Sequence, residues 1–105
     1  MNALTQQNWS EHITASPLPV LVIFHSEYSA YSRRSLALLK ELEPEFWNAR
    51  FASVDVDTEG ELTLQHGIQG IPAFVLYRRG KKVAFFMGER SEKRLRENIG
   101  KALCL

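Results

Sequence analysis

The sequence is most informative in the segment Val20-Leu-Val-Ile-Phe-His-Ser-Glu-Tyr-Ser-Ala-Tyr-Ser32. Its first five residues are all apolar, which is typical of a strand buried on both faces in a sheet with parallel neighbours. Downstream of the segment, leucines between positions 36 and 42 recur at helical spacing. The segment therefore predicts a central strand that leads, through a short polar link, into a long helix. Ser29 and Ser32 lie near the start of that helix.

The rest of the chain also alternates between strand and helix patterns. Thr5 and Ser91 are suited to cap helices near the two ends, and the turn at Gly80 joins the last two strands into a hairpin. In chain order the predicted elements are a helix over residues 5–14, a strand 20–24, a helix 30–47, a strand 51–57, a helix from residue 58 or 59 to 66, strands 73–77 and 83–87, and a helix from residue 92. This order predicts an α/β fold, with a central mixed β-sheet and helices on both faces, formed by residues 1–105 as a single domain.

Single residues determine several details of this prediction. Pro44 lacks an amide hydrogen and should kink or restart the long helix, whose apolar residues extend to Trp47. Leu62 and Leu64 mark the following helix, and Gly67 suits the left-handed conformation that ends a helix. We therefore expect one long, bent helix and one short helix before the hairpin.

The composition is that of a globular protein. The chain has 105 residues, of which 45% are hydrophobic and 24% are charged, so it can bury a core and is not a disordered or collagen-like chain. Its longest apolar run, residues 20–24, is far shorter than the roughly 20 residues that a membrane-spanning helix needs. The first residues lack the basic and apolar regions of a secretory signal. These features predict a cytoplasmic protein that does not associate with membranes.

The charge is unevenly distributed along the chain. The formal net charge is +1, but residues 78–105 carry nine basic and three acidic side chains, so that end is +6 and the rest is −5. Such asymmetry can indicate nucleic-acid binding. The basic residues around Gly80 instead have the pattern of a hairpin turn whose charged flanks discourage pairing at the sheet edge. The nearby aromatic residues belong to strand patterns, so we expect no nucleic acid among the partners.

Cysteine and histidine are scarce. The only cysteine, Cys104, cannot form a disulfide within the chain, and the three histidines lack the spacing of metal ligands. We therefore expect no metal and no cofactor. The expected state is a monomer, with a Cys104-linked dimer possible on oxidation.

Two further motifs narrow the interpretation. Val54-Asp-Val-Asp57 is followed by His66-Gly-Ile-Gln-Gly-Ile-Pro72, and then by the hairpin and Gly88. Together with residues 22–32, this order and spacing resemble thioredoxin over essentially the whole chain. The resemblance implies a thioredoxin-like fold and membership of a family of protein disulfide oxidoreductases.

The resemblance places Ser29 and Ser32 at the positions of the two catalytic cysteines. In the family, the first thiolate attacks a disulfide and the second thiol resolves the mixed disulfide. A serine hydroxyl stays protonated at neutral pH and forms no stable bond to sulfur, so neither position is redox-active as written. Ile23 and Ser53 match the positions where many thioredoxins have a buried aspartate and a lysine that assist proton transfer. The departure from the family thus extends beyond the two cysteines.

The family's substrate groove is otherwise present in the sequence. In thioredoxins the residue before a cis-proline offers its backbone to an extended peptide, and the resemblance assigns these roles to Ile71 and Pro72. The other matching substrate-binding positions are Tyr28, Ala30, Tyr31, Gly70 and Gly88. The implied partners are peptides or proteins, and the two tyrosines would add aromatic surface beside the groove.

Three functions fit these observations. The first is a thioredoxin-like protein, redox-inactive as written, that binds peptides or partner proteins through the groove in a chaperone-like or adaptor role. The second is a thiol-disulfide oxidoreductase whose two cysteines were replaced by serine. The third is a structural subunit that uses the fold as an assembly surface. The sequence favours the first and leaves open whether the chain is an enzyme.

Overall fold

A five-stranded mixed sheet forms the centre of the protein, in a computed structural model that describes residues 1–105. Its strands are β1 (Asn2–Ala3), β2 (Val20–His25), β3 (Arg50–Asp55), β4 (Ala73–Arg78) and β5 (Lys81–Met87). They lie in the order β1-β3-β2-β4-β5. β1, β3 and β2 are parallel, β4 is antiparallel to β2, and β5 is antiparallel to β4. The prediction that the apolar run at residues 20–24 forms the central strand is confirmed.

Helices cover both faces of the sheet. The three α-helices are α1 (Ala30–Leu42), α2 (Gly60–Gln65) and α3 (Glu92–Leu103), and a π-helix (Ser10–Thr14) precedes β2. On one face, Ile13 of the π-helix and Leu62 of α2 join a buried cluster with alternate residues of β2, β3 and β4. On the other face, α1 and α3 contribute Leu39 and Leu95 to a second cluster. The predicted α/β fold, with a mixed sheet between helices, is thereby confirmed.

Pro44 ends the long helix sooner than predicted. α1 stops at Leu42, and a single 3₁₀ turn, Glu43–Glu45, follows with Pro44 inside it, because proline cannot donate the amide hydrogen that a continuing α-helix requires. The prediction that the helix extends to Trp47 was wrong. Trp47 lies in the following turn with 87% of its surface exposed.

The N-terminal segment also differs from the predicted helix over residues 5–14. Thr5 does cap this segment, since its hydroxyl accepts from the Asn8 N–H (3.2 Å) and its own N–H donates to Asn8 Oδ1 (2.7 Å). The backbone then forms turns and widens into the π-helix instead of a regular α-helix. Before it, β1 pairs with β3 for only two residues, too few to give an alternating pattern in the sequence.

Turns and caps in the second half agree with the sequence. Gly67 has a positive φ of 68° at the end of α2, although Leu64 is exposed while Leu62 is buried. Arg79 and Gly80 both have positive φ, 55° and 79°, in the tight turn between β4 and β5.

Candidate functional site

The residues that the sequence singles out converge at one end of the sheet, where β2 terminates and β4 begins. β2 ends at His25 and leads into the start of α1, which holds Ser29 and Ser32. β4 runs in the opposite direction to β2, so its first residue, Ala73, lies opposite Phe24 near the same edge. Met87, at the end of β5, is the partner of Ala73. The helix start, the Gly70–Pro72 link and Gly88 therefore meet at the end of the sheet where β2 terminates.

The two serines at the start of α1 have different environments. Ser29 is the N-cap residue, and its hydroxyl accepts from the Ser32 N–H at 3.2 Å, satisfying one of the free amides of the first turn. The Ser32 side chain is completely buried, and its hydroxyl has no hydrogen-bond partner within the protein. A buried hydroxyl without a partner carries its full desolvation penalty. The site at Ser32 therefore suits a less polar group better than a hydroxyl.

The two positions that match the proton-transferring aspartate and lysine of many thioredoxins hold Ile23 and Ser53. Ile23 and Ser53 are direct partners across the parallel pairing of β2 and β3, which agrees with the sequence comparison that matched them to an interacting aspartate and lysine. Ile23 is fully buried among the apolar side chains of the α1 and α3 face. Neither side chain is an acid or a base at neutral pH, so this pair of positions cannot assist proton transfer at the helix start.

A backbone edge is open beside the two serines. Ile71 makes no hydrogen bond within the protein through either its N–H or its C=O. The next carbonyl, that of Pro72, accepts from the Gly88 N–H at 2.8 Å, which holds the end of β5 against the start of β4. Pro72 is buried, and the Ile71–Pro72 peptide bond is cis. Ile71 thus presents a free N–H donor and a free C=O acceptor at the end of the sheet where the site residues meet.

Aromatic and small residues border this open backbone. Tyr28 and Tyr31 are 87% and 61% exposed on either side of Ser29, whereas Ala30 is half-buried. On the opposite border, a Cβ on Gly70 would lie 2.7 Å from the Met87 Sδ, so Gly70 gives Met87 the room to pack there. Gly88 has a φ of 101°, which favours glycine. At the positions that the resemblance assigns to the substrate groove, aromatic side chains thus lie on one border and small residues on the other.

Comparison with known proteins identifies the family. The thioredoxin family model matches residues 1–101. The chain belongs to the thioredoxin family. Among similar proteins are the probable thioredoxin-2 of Caenorhabditis elegans, 27% identical over 94 residues, and the thioredoxin of Rickettsia typhi, 21% identical over 104 residues. The first alignment covers 89% of this chain and 65% of the nematode protein, and the second covers 98% and 99%.

A third relative is much longer than this thioredoxin-family chain. It is the bloodstream-specific protein 2 of Trypanosoma brucei brucei, 29% identical over 105 residues. The alignment covers 95% of this chain but only 21% of the trypanosome protein. The similarity therefore concerns the thioredoxin domain and not the whole of that relative.

An ion pair that the sequence does not signal lies next to the groove of this thioredoxin domain. Arg34 of α1 donates from Nε and Nη2 to the two carboxylate oxygens of Glu89, at 2.7 and 3.0 Å. The Arg34 guanidinium also lies 5.3 Å from the centre of the Tyr31 ring. This bidentate pair connects the helix that carries the serines to the residue after Gly88. Only the fold brings the two residues together, because 55 positions separate them in the sequence.

No metal centre accompanies the groove. The structure contains no cluster of three or more His, Cys, Asp or Glu side chains that could hold a metal ion. Nor is any helix long and apolar enough to cross a membrane. Cys104 is exposed at the end of α3.

His66 belongs to a half-buried aromatic cluster on the face of the sheet that the π-helix and α2 cover. Its Nδ1 shares a 2.9 Å hydrogen bond with the Tyr77 hydroxyl, and its ring lies 4.2 Å from the centre of the Trp9 ring. Burial, together with the positive charge of Lys82, lowers the pKa of His66 below its ordinary value of 6.5. Burial lowers the pKa of His25 as well. Both histidines thus favour the neutral form in the folded protein.

This shift predicts that the protein loses stability in mild acid. The unfolded chain binds a proton at His66 near pH 6.5, more readily than the folded chain does, so the free energy of unfolding should be level above that pH and fall below it. Urea unfolding between pH 7.5 and pH 5 measures this slope. His66→Gln should flatten it in part, because His25 continues to contribute. An identical slope in wild type and His66→Gln would show that His66 is not the responsible group.

Proposed function

We propose that this thioredoxin-family protein is a redox-inactive binding module that takes up an extended segment of a partner protein in its groove, in a chaperone-like or adaptor role. The observation that carries the proposal is the backbone of Ile71, whose N–H and C=O have no partner within the protein. An extended peptide can satisfy both groups by strand addition, a recognition mode that needs no reactive side chain.

The borders of the groove support binding without chemistry. Tyr28 and Tyr31 offer large aromatic surfaces at little cost in conformational entropy, and tyrosine is enriched in binding surfaces. On the other side, Gly88 donates its N–H to the Pro72 carbonyl and has no side chain beside the start of β4. A peptide lying between these borders would contact aromatic rings and backbone at the same time.

The side chains at the reactive positions support a role without redox chemistry. A dithiol cycle needs two thiols one helical turn apart, and this helix start has Ser29 and Ser32. Cys104 is a single exposed thiol at the end of α3 and cannot supply the missing pair.

One observation favours the alternative, a thiol-disulfide oxidoreductase whose cysteines were replaced by serine. The buried Ser32 hydroxyl has no partner, and a thiol, which is a weaker hydrogen-bonding group, would fill the same space at a lower desolvation cost. Against the alternative stand Ile23 and Ser53, because exchanging two cysteines would not also remove an aspartate and a lysine.

The groove proposal is tested with peptides selected from a random displayed library on the wild-type protein and measured by fluorescence anisotropy. We expect the double variant Tyr28→Ala with Tyr31→Ala to bind the selected peptides at least about tenfold more weakly, since a buried aromatic contact is often worth about 2 kcal/mol. Trp47→Ala is the matched control, because Trp47 is as exposed as Tyr28 but lies in a different loop. Equal loss in both variants, or no loss in the tyrosine variant, would argue against the groove as the binding site.

A further inference from the structure

The outermost strand, β5, exposes a row of apolar side chains on one face. Val83, Phe85 and Met87 are 36%, 47% and 48% exposed, and their spacing of two residues places them on the same side of the sheet. Their neighbours on β4, Val75 opposite Phe85 and Ala73 opposite Met87, are completely buried. The covering layer of the π-helix and α2 therefore ends at β4 and leaves this face of β5 partly exposed.

β5 also has an unpaired backbone edge. It is the last strand of the sheet and pairs only with β4. Alternate residues of this seven-residue strand direct their N–H and C=O groups away from β4, where a further strand can pair, and a bulge interrupts the pairing with β4 at Val83. A strand added there would lie about 4.8 Å from β5 and would place alternate side chains beside the row of three apolar residues.

One end of this row is strongly basic. Arg78, Arg79, Lys81 and Lys82 surround the hairpin turn, and none of them lies within salt-bridge distance of a carboxylate. The Arg78 guanidinium donates from Nη2 to the Leu103 carbonyl at the end of α3, at 3.1 Å, and its buried Nε has no hydrogen-bond partner. The Lys82 ammonium lies 5.6 Å from the centre of the Phe85 ring, so the charge reaches the apolar row itself.

A depression lies at the basic end of the row. Its volume is about 380 Å³, and its lining contains three of the four cations and no acidic side chain. Leu18 and Val83 are the apolar residues of this lining. The depression thus continues the surface of β5 with a combination of apolar walls and uncompensated positive charge.

From these observations we infer that β5, whose Met87 end adjoins the groove, is a second docking surface for an extended acidic segment of a partner protein. The segment adds a strand to β5, with apolar side chains at every second residue beside Val83, Phe85 and Met87. Its acidic residues lie over the hairpin cations and neutralise the charge that otherwise discourages pairing at this edge. Charge complementarity decides between this occupant and a second copy of the chain, because a second copy would bring more cations without carboxylate partners into the interface, whereas an acidic segment would neutralise those of the hairpin.

The test uses synthetic peptides of about ten residues, long enough to cover the strand. The acidic peptide alternates valine with threonine and carries glutamates at one end, and the comparison peptide has lysines in place of the glutamates. We expect the acidic peptide to bind, with backbone amide shifts concentrated in β5, and the lysine peptide not to bind. Binding of both peptides with equal affinity, or no binding at millimolar concentration, would overturn the proposal.

Matched variants locate the surface. Lys81→Glu with Lys82→Glu, and separately Val83→Thr with Phe85→Thr, should each weaken the acidic peptide at least about tenfold, because they remove charge complementarity or the apolar row. Lys93→Glu with Lys101→Glu makes the same change in net charge on α3 and should alter affinity less than about twofold. Equal weakening by this control would show that affinity depends only on the net charge of the protein and would overturn the proposal.

Two further arms separate this surface from the groove and from self-association. Tyr28→Ala with Tyr31→Ala should leave the affinity for the acidic peptide unchanged, whatever the result of the groove experiment. A loss of affinity in this variant would show that the peptide binds in the groove and would overturn the proposal. Sedimentation velocity should show the free protein as a monomer. A dimer that Phe85→Thr dissociates would make β5 an interface between copies and overturn the proposed occupant.

Discussion

Ser29→Cys with Ser32→Cys will produce a folded protein with measurable but weak disulfide reductase activity. Folding should persist because serine and cysteine are nearly isosteric, and the new first thiol would be at the start of α1, where free amides favour the thiolate. Activity should remain about 10²–10⁴-fold below that of an ordinary thioredoxin, since Ile23 and Ser53 provide no group for the second proton transfer. Reduction of insulin by dithiothreitol, measured beside a standard thioredoxin, gives the ratio.

The wild-type protein is the baseline for this assay. It should accelerate insulin reduction no more than the reagent blank, because one thiol at Cys104 cannot complete a dithiol cycle. Cys104→Ser in the double-cysteine background ensures that any activity arises at the helix start. A turnover equal to that of the standard thioredoxin would show that Ile23 and Ser53 cost nothing and would favour the alternative of replaced cysteines.

Ser32→Ala will stabilise the protein, an unusual result for a substitution at a fully buried position. The variant removes a hydroxyl that is desolvated and unpaired, for which the expected gain is about 1–3 kcal/mol in the free energy of unfolding. For a domain of this size each kcal/mol raises the Tm by about 4–8 °C. Urea unfolding and thermal melts at neutral pH measure both quantities.

Ser29→Ala is the matched control, only three residues away. It removes the hydroxyl that accepts the Ser32 N–H, so we expect a loss of about 1 kcal/mol, the usual effect of deleting an N-cap. Opposite signs for the two alanine variants would establish that only the buried serine is energetically unfavourable. Destabilisation by Ser32→Ala would mean that its hydroxyl has a partner in solution, such as a buried water molecule.

The sequence predicts those parts of the fold that depend on local chemistry. The buried run at residues 20–24 gave the central strand, and Ser91, whose hydroxyl accepts from the Arg94 N–H, caps α3 as expected. The position of Trp47 could not be predicted. Helical periodicity continues across Pro44 in the sequence, whereas the missing amide hydrogen ends the α-helix in the structure.

The candidate site shows the same division between local and long-range information. The motif spacing located Ser29, Ser32 and the residues before Pro72, and the structure brings them to one edge of the sheet. The bonding state of individual atoms depends on the assembled fold. The unpaired Ser32 hydroxyl, the free Ile71 backbone and the Arg34–Glu89 pair all result from packing between distant segments. No local pattern in the sequence contains that information.

Because β2 lies at the centre of the sheet, hydrogen exchange of its amides can measure the free energy of global opening without denaturant. β2 is hydrogen-bonded to β3 on one side and to β4 on the other, and its first five residues are buried. Such amides exchange with deuterated solvent only when the whole domain opens, whereas the edge strands β1 and β5 can open locally. The slowest exchange rates in β2 therefore report the global opening equilibrium under native conditions, and those of β5 report how firmly its free edge is held.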